Sequence, residues 1–346
     1  MTDRIARLAD SLEEPLLVTN PVNILYLCGF DSSNAALYVE PERARLFTDF
    51  RYIEAARAVE GVEAVLTRRA LIGWLAENLS GRVGFEAHVL PYAFVETLRG
   101  GGLDLVPRSG LVERLRAVKD ARELDSIRRA CAITDRVFER LATEVRFVGR
   151  KEREVAWDLA QLFHDEGADA PAFESIVGSG PTGARPHARA GDRVIGAGEL
   201  VVIDAGCTVN GYASDYTRTF ATGSLDGEQQ EAYDVVLAAQ QAGLDAIRAG
   251  ATGVDADAAA RRVVDESRFA GSFGHGLGHG LGLDVHESPR LSTESTDTLA
   301  AGNVVTVEPG VYVEGRFGVR TEDDVLVTAE GIENLSGFRK DLVEVS

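Results

Sequence analysis

The first hundred residues alternate short apolar, β-branched runs with segments whose apolar positions recur at helical spacing. The runs LLVT (16–19), ILYLCGF (24–30), AALYVE (35–40), ARLFTD (44–49), VEAVL (62–66), RVGFE (82–86) and DLVP (104–107) read as strands. Between them RYIEAARAVE, ALIGWLAENL and YAFVETLRG read as helices. This pattern predicts an α/β domain of ordinary size over 1–115, with a boundary near 112–119. Asp120 and Glu123 then form a D-x-x-E capping box at the head of a long helix, on which Leu124, Ile127, Cys131, Val137 and Leu141 recur. A second helix is expected over 151–166. After it the texture changes to hairpins, interrupted by helices over 227–248 and 253–267 and by a Gly/His-rich stretch at 273–287. The second domain, 116–346, therefore reads as α+β.

Two of the hairpin strands carry carboxylates inside apolar text, VVIDAG and VVTVEPG. A buried unpaired charge is costly, so such residues face a cation, and one metal site can satisfy several together. Asn210-Gly211 is the strongest two-residue turn signal. A hairpin closed there sets Asp204 opposite Thr217 and Asp215 opposite Gly206. Both aspartates then share a face as diagonal neighbours, with Cβ atoms roughly 7 Å apart or less, unless a bulge intervenes. A three-residue loop over 314–316 likewise sets Glu308 opposite Glu322. The repeated acidic hairpin suggests two related halves closing around one site. Four of the six histidines, His187, His275, His279 and His286, fall in the same region. Four carboxylates and an imidazole make a hard, oxygen-rich ligand set that suits a pair of Mn, Co, Zn or Fe ions, with Mn favoured, and two such ions support hydrolysis.

Composition narrows the partners. The chain has 346 residues, 45% of them hydrophobic, with 55 acidic against 36 basic residues and a net charge of −19. Nucleic acid and anionic membranes are excluded as main partners, because both need a basic footprint. Three of the basic residues are Lys, and an acidic, Lys-poor surface suits a high-salt, halophilic cytoplasm. Three scattered cysteines without a CxxC argue against a disulfide framework and against a thiolate zinc site. They read as small core residues. The charged N-terminus does not resemble a signal peptide, and no run approaches the roughly 20 apolar residues of a membrane helix, so a cytoplasmic location is expected. GSGPTGA (178–184) mimics a phosphate loop, but Ala184 stands where Lys is required.

The string GHGLGHGLGLDVHE, together with DAG, SDYTRT, TVEPG and RTEDD, resembles the pita-bread metallopeptidases, and within them the Xaa-Pro dipeptidase and aminopeptidase P branch. NILYLCGF, LFTDFRY and KDARELDSIRRACAITD extend the resemblance over nearly the whole chain. It implies a pita-bread α+β catalytic domain behind a smaller α/β creatinase-type domain, a homodimer, and hydrolysis of Xaa–Pro bonds in dipeptides or short proline-containing peptides. It also implies two divalent ions held by Asp204, Asp215, His279, Glu308 and Glu322, with Asp215 and Glu322 bridging. Glu308 becomes the implied proton shuttle, His187, His275 and His286 surround the substrate, and Arg320, which matches the arginine of the proline-specific branch, is implied to bind substrate with them. His275 and His286 are the groups expected to steady the tetrahedral intermediate. Departures from the pattern are Ala205, where Phe is frequent, and GPTGARPH before His187. The rival readings are a small-molecule amide hydrolase or lyase on the same scaffold, a methionine aminopeptidase, and a non-enzymatic peptide-binding relative. The complete ligand set argues against the metal-free and binding-only versions.

Overall fold

A computed structural model describes residues 1–346, which divide into two compact units, Met1–Arg116 and Ala117–Ser346. The first unit runs α1 (Asp3–Ala9), β1 (Leu16–Val18), α2 (Pro21–Cys28), β2 (Ala35–Val39), β3 (Ala44–Thr48), α3 (Ile53–Arg57) and β4 (Glu63–Leu66). It continues with α4 (Leu71–Asn78), β5 (Gly81–Glu86), α5 (Tyr92–Gly100), β6 (Leu103–Arg108) and α6 (Leu111–Ala117), so the expected boundary segment is largely helical. Its six strands form one mixed sheet in the order β4-β3-β2-β1-β5-β6. Leu17, Phe47, Leu75, Val83 and Leu98 pack its core.

One expectation fails here. The run at 24–30 is not a strand but lies mostly in α2, and the reason is local. Asn20 caps the helix by accepting the Val22 N–H at 3.0 Å, and Pro21 presets φ at its first position. Gly29 closes it with φ 71° and an N–H to Leu25 O at 2.7 Å. These end signals outweigh the strand propensity of an apolar run. Cys28 is consequently half-buried rather than core, whereas Cys131 and Cys207 are buried.

The second unit begins with α7 (Ala121–Glu144), whose Asp120–Glu123 capping box is present, and α8 (Glu152–Asp165). The strands β7 (Ala170–Pro171), β8 (Ile176–Ser179), β9 (Leu200–Ala205), β10 (Cys207–Val209), β11 (Tyr212–Ala213) and β12 (Tyr216–Ala221) follow. Then come α9 (Gly227–Ala246), α10 (Gly253–Asp265), β13 (Gly278–Gly280), β14 (Glu287–Leu291), β15 (Val304–Val307) and β16 (Gly310–Val313). Last are β17 (Phe317–Arg320), β18 (Asp323–Val327), β19 (Ile332–Asn334) and β20 (Val343–Glu344). Two helices pack on strands in each half. Ile127, Phe138, Leu159 and Phe163 from α7 and α8 join Ile203 and Phe220 in one core. Val236, Ala260 and Val264 from α9 and α10 join Val305 and Val325 in the other.

Both hairpins keep a single register on either side of a gap. In the first, Val209 faces Tyr212 and Thr208 faces Ala213; beyond the gap Ala205 faces Tyr216 and Asp204 faces Thr217. No bulge intervenes, and the ladder is open at Gly206 and Asp215. In the second, Val313 faces Phe317 and Gly310 faces Arg320; beyond the gap Val307 faces Asp323. That ladder is open at Glu308 and Glu322. Each gap therefore falls where an acidic residue stands.

Gly206 is required at the first gap, because a Cβ there would lie 1.8 Å from Ser214 O. Gly206→Ala is expected to destabilise the protein by about 1–3 kcal/mol, from overpacking against a backbone that cannot yield. Gly227→Ala, where a Cβ meets nothing within 4 Å, serves as the near-neutral control. Denaturant midpoints of the two variants check the difference.

Candidate metal centre

The open ladder positions are not left unpaired; each half of the unit supplies partners to the other. The Asp215 N–H donates to Asp324 Oδ2 at 3.0 Å, and the Glu322 N–H donates to Thr217 O at 3.0 Å. The Glu308 N–H donates to Leu277 O at 2.8 Å, beside β13. Thr217 Oγ1 also donates to Glu322 Oε2 at 2.7 Å. A fully buried Arg218 braces the same corner: it donates to Glu322 O at 2.5 Å and to Asp323 Oδ1 at 2.8 Å, and Lys340 also reaches Asp323.

His279 enters from β13. Its Nδ1 lies 3.1 Å from Gly280 O, which leaves Nε2 facing Glu308 Oε1 at 3.3 Å and Asp215 Oδ2 at 3.7 Å. One ligand atom each from Asp215, His279 and Glu322 lies within 4.8 Å of the others. Asp204 Oδ2 accepts Arg320 Nη2 at 2.5 Å, while its Oδ1 is buried without a hydrogen-bond partner. An orphaned carboxylate oxygen beside three convergent ligand atoms is the donor set a divalent cation completes. The residues fit a metal.

The electrostatics agree. Burial, followed by repulsion from neighbouring acids, pushes Asp215 and Glu322 well above the usual carboxylate range. Burial raises Asp204 as well, against the pull of Arg320. Asp324 is pushed by burial to about 8. Glu308 goes the other way: burial raises it, but the hydrogen bond and charge of His279 prevail and hold it at about 2. The centre thus gathers more acidic groups than its own cations offset, and most of its carboxyls favour the protonated form more than free ones do.

A cavity of about 700 Å³ opens over this cluster. His187 and His286 line it with exposed rings, and the His286 ring centroid lies 4.2 Å from that of His279. His275 lines it too, with Nδ1 2.8 Å from Gly276 O and Nε2 2.9 Å from Tyr312 OH, so both ring nitrogens are engaged inside the protein. Arg320, too, lines the cavity. Its guanidinium bonds Asp204, Thr217 Oγ1 at 2.9 Å, Tyr312 OH at 3.0 Å and Pro186 O at 3.1 Å. It orients Asp204 from behind.

Sequence reasoning missed Tyr312, Asp324 and Arg290. Asp324 stands two residues after Glu322 in strand text, so period-2 alternation could have found it. Tyr312, in the second hairpin, pairs across with Gly318 and had no such signal. Arg290 lines the cavity opposite His279 across the β13–β14 ladder, and only that pairing reveals it.

Residues 125–329 match Metallopeptidase family M24, and residues 4–118 match the Creatinase/Prolidase N-terminal domain. The Xaa-Pro dipeptidase of Pyrococcus furiosus is 33% identical over 350 residues, covering 99% of this chain and 100% of that protein. Among solved structures, an Xaa-Pro dipeptidase from Bacillus anthracis superposes with a TM-score of 0.95 at 36% identity, covering 99% of both chains. An X-Pro aminopeptidase from Thermotoga maritima gives 0.89 at 31% identity, covering 99% of this chain and 100% of that one.

Two outcomes are expected of the centre. Asp215, Glu322 and Asp324 bind protons more tightly folded than unfolded, so the stability they confer on the metal-free protein is present at acidic pH. It is lost as pH rises from the ordinary carboxylate range, 3.8 for an aspartate, through the folded value of about 8 for Asp324. Since cation and protons compete, the rise in melting temperature on adding Mn²⁺ should be larger at pH 8 than at pH 5. Thermal melts read this, and calorimetry in two buffers should show proton release; a metal-induced shift independent of pH would contradict it. Separately, Arg320→Met should weaken metal binding by about 10–100-fold by freeing Asp204, measured by chelator competition.

Proposed function

The chain belongs to metallopeptidase family M24, behind a creatinase/prolidase N-terminal domain, and from that membership we propose that it hydrolyses the Xaa–Pro bond of dipeptides. Its second unit is the pita-bread α+β fold, and as a member of this family it is a hydrolase that works with divalent metal ions. The observation that carries the reading is the convergence of Asp204, Asp215, His279, Glu308 and Glu322 at one cavity lined by three histidines and Arg290.

Two ions would be held by those five residues; the oxygen-rich donor set favours Mn²⁺ among Mn, Co, Zn and Fe. When bound, such ions supply Lewis acidity toward the scissile carbonyl and toward water. Glu308, whose carboxylate lies 3.3 Å from His279 Nε2, would accept a proton from the attacking water. It then returns that proton to the proline nitrogen as the C–N bond breaks. His286 and His187 would present free rings to the carbonyl oxygen and peptide. His275, tied to Tyr312 and Gly276, is part of the cavity wall.

An Xaa–Pro bond offers no N–H, so the proline side must be recognised by shape, and Phe173, Ile176 and Val285 give the cavity apolar walls. A dipeptide also ends in a free carboxylate close to the scissile bond. Arg290, exposed on the cavity wall, supplies the complementary cation, and this favours dipeptides over longer Xaa–Pro–Yaa peptides. The acidic surface and the three free cysteines support a cytoplasmic, salt-rich setting. The Creatinase/Prolidase N-terminal match supports a homodimer.

Metal-stripped protein should release proline from Xaa–Pro dipeptides only after Mn²⁺, Co²⁺ or Zn²⁺ is restored, faster than it releases Xaa from an Xaa–Pro–Yaa tripeptide. Asp215→Ala should abolish this turnover with the fold intact by circular dichroism, and Arg290→Ala should raise KM for the dipeptide more than for the tripeptide. Peptides left uncleaved by metal-loaded protein would move the assignment to a small-molecule amide hydrolase or lyase.

A further inference from the structure

A buried ion pair that the metal ligands do not use clamps the loop carrying His286. That loop runs through a series of bends from Gly282 to His286 and enters β14 at Glu287. The Glu287 carboxylate folds back over the start of the loop: a Cβ on Gly282 would lie 2.5 Å from Glu287 Oε1. The same oxygen accepts Lys119 Nζ at 2.5 Å, with the two side chains 1% and 5% exposed. Lys119 is itself fixed. Its N–H donates to Gly302 O at 2.9 Å, and the next residue, Asp120, caps α7. One end of the clamp is therefore anchored on the longest helix, and the other lies directly beside His286.

Two further observations give the clamp meaning. The His286 ring makes no hydrogen bond within the protein and is exposed, so its direction rests on the backbone that Glu287 holds. And only three of the 36 basic residues are Lys. Of those, Lys340 also meets a fully buried carboxylate, Asp323, at 2.7 Å. In a chain that draws nearly all its positive charge from Arg, a buried Lys marks a slot for a compact ammonium, where a five-donor planar fork would leave N–H groups unpaired.

We propose that Lys119 and Glu287 are a positioning pair that aims the His286 imidazole beside His279 and toward the substrate carbonyl. This rests on the Xaa–Pro reading of the cavity, but its test does not depend on turnover alone. Lys119→Met is expected to lower kcat/KM for an Xaa–Pro dipeptide by about 10–100-fold in the Mn²⁺-loaded protein, as a misplaced reacting group does. In a His286→Ala background the same change should cost no more than about twofold, because the pair acts through that ring. Lys119→Arg should not restore activity. Equal losses in both backgrounds would overturn the proposal, since a merely structural role is indifferent to His286.

The activity-independent arm follows histidine ring resonances in Zn²⁺-loaded protein. Lys119→Met should move the His286 signal and leave that of His164, exposed on α8, in place. An unmoved His286 signal would overturn the pair even if the wild type cleaves every Xaa–Pro peptide offered. A moved signal would sustain it even if the wild type cleaves none. Glu287→Gln, which keeps the shape and removes the charge, carries both readouts should Lys119→Met fail to fold.

Discussion

Asp204, Asp215, Glu322 and Asp324 are buried around one point, with Glu308 at its edge, against the His279 imidazole and the Arg320 guanidinium, and the rest of the second unit is arranged around that imbalance. Removing several like charges from water without a cation is among the most costly arrangements a protein adopts. Burial and mutual repulsion push Asp215 and Glu322 above the usual carboxylate range, and Asp204 is only half answered, with one oxygen on Arg320 and the other unpaired. A divalent ion resolves all of these at once. The centre is accordingly a site in which cation binding adds directly to folding stability.

Such a cluster has to be held against its own repulsion, and the two hairpins do this by opening their ladders. Where Asp215 and Glu322 stand, the backbone N–H turns away from its own hairpin and is taken up by the other, by Asp324 and by Thr217. The exchange locks the halves together where the carboxylates crowd. Behind it, Arg218 grips the backbone of Glu322, and Arg320 grips Asp204 and passes through Tyr312 to His275. The Arg320 guanidinium thus belongs to the frame as well as to the cavity wall. Two histidines, His187 and His286, keep their rings open to the cavity, and His286 depends for its aim on residues outside the centre.

The first unit shows how sequence reasoning fails when two signals conflict. The run at 24–30 is apolar enough for a strand, yet Asn20, Pro21 and Gly29 mark the two ends of a helix, and the ends prevailed. Elsewhere no such conflict existed. The capping box at Asp120 and Glu123, the Asn210-Gly211 turn and the three-residue loop before Phe317 each stand where their local chemistry places them.

What the sequence determined by itself was whatever depends on neighbours along the chain. That covers most helices and strands, the register of both acidic hairpins, and hence which carboxylates share a face, because turn chemistry and a two-residue period set those without reference to the rest of the molecule. What only the tertiary structure decided was which side chains are consumed in holding the site and which remain to act. Arg320 on Asp204, both nitrogens of His275, Asp324 beneath Asp215, Arg290 across from His279 and Lys119 under Glu287 all join residues distant in sequence or in separate strands. No local pattern encodes such a pairing, since it exists only once two separately specified elements have packed together.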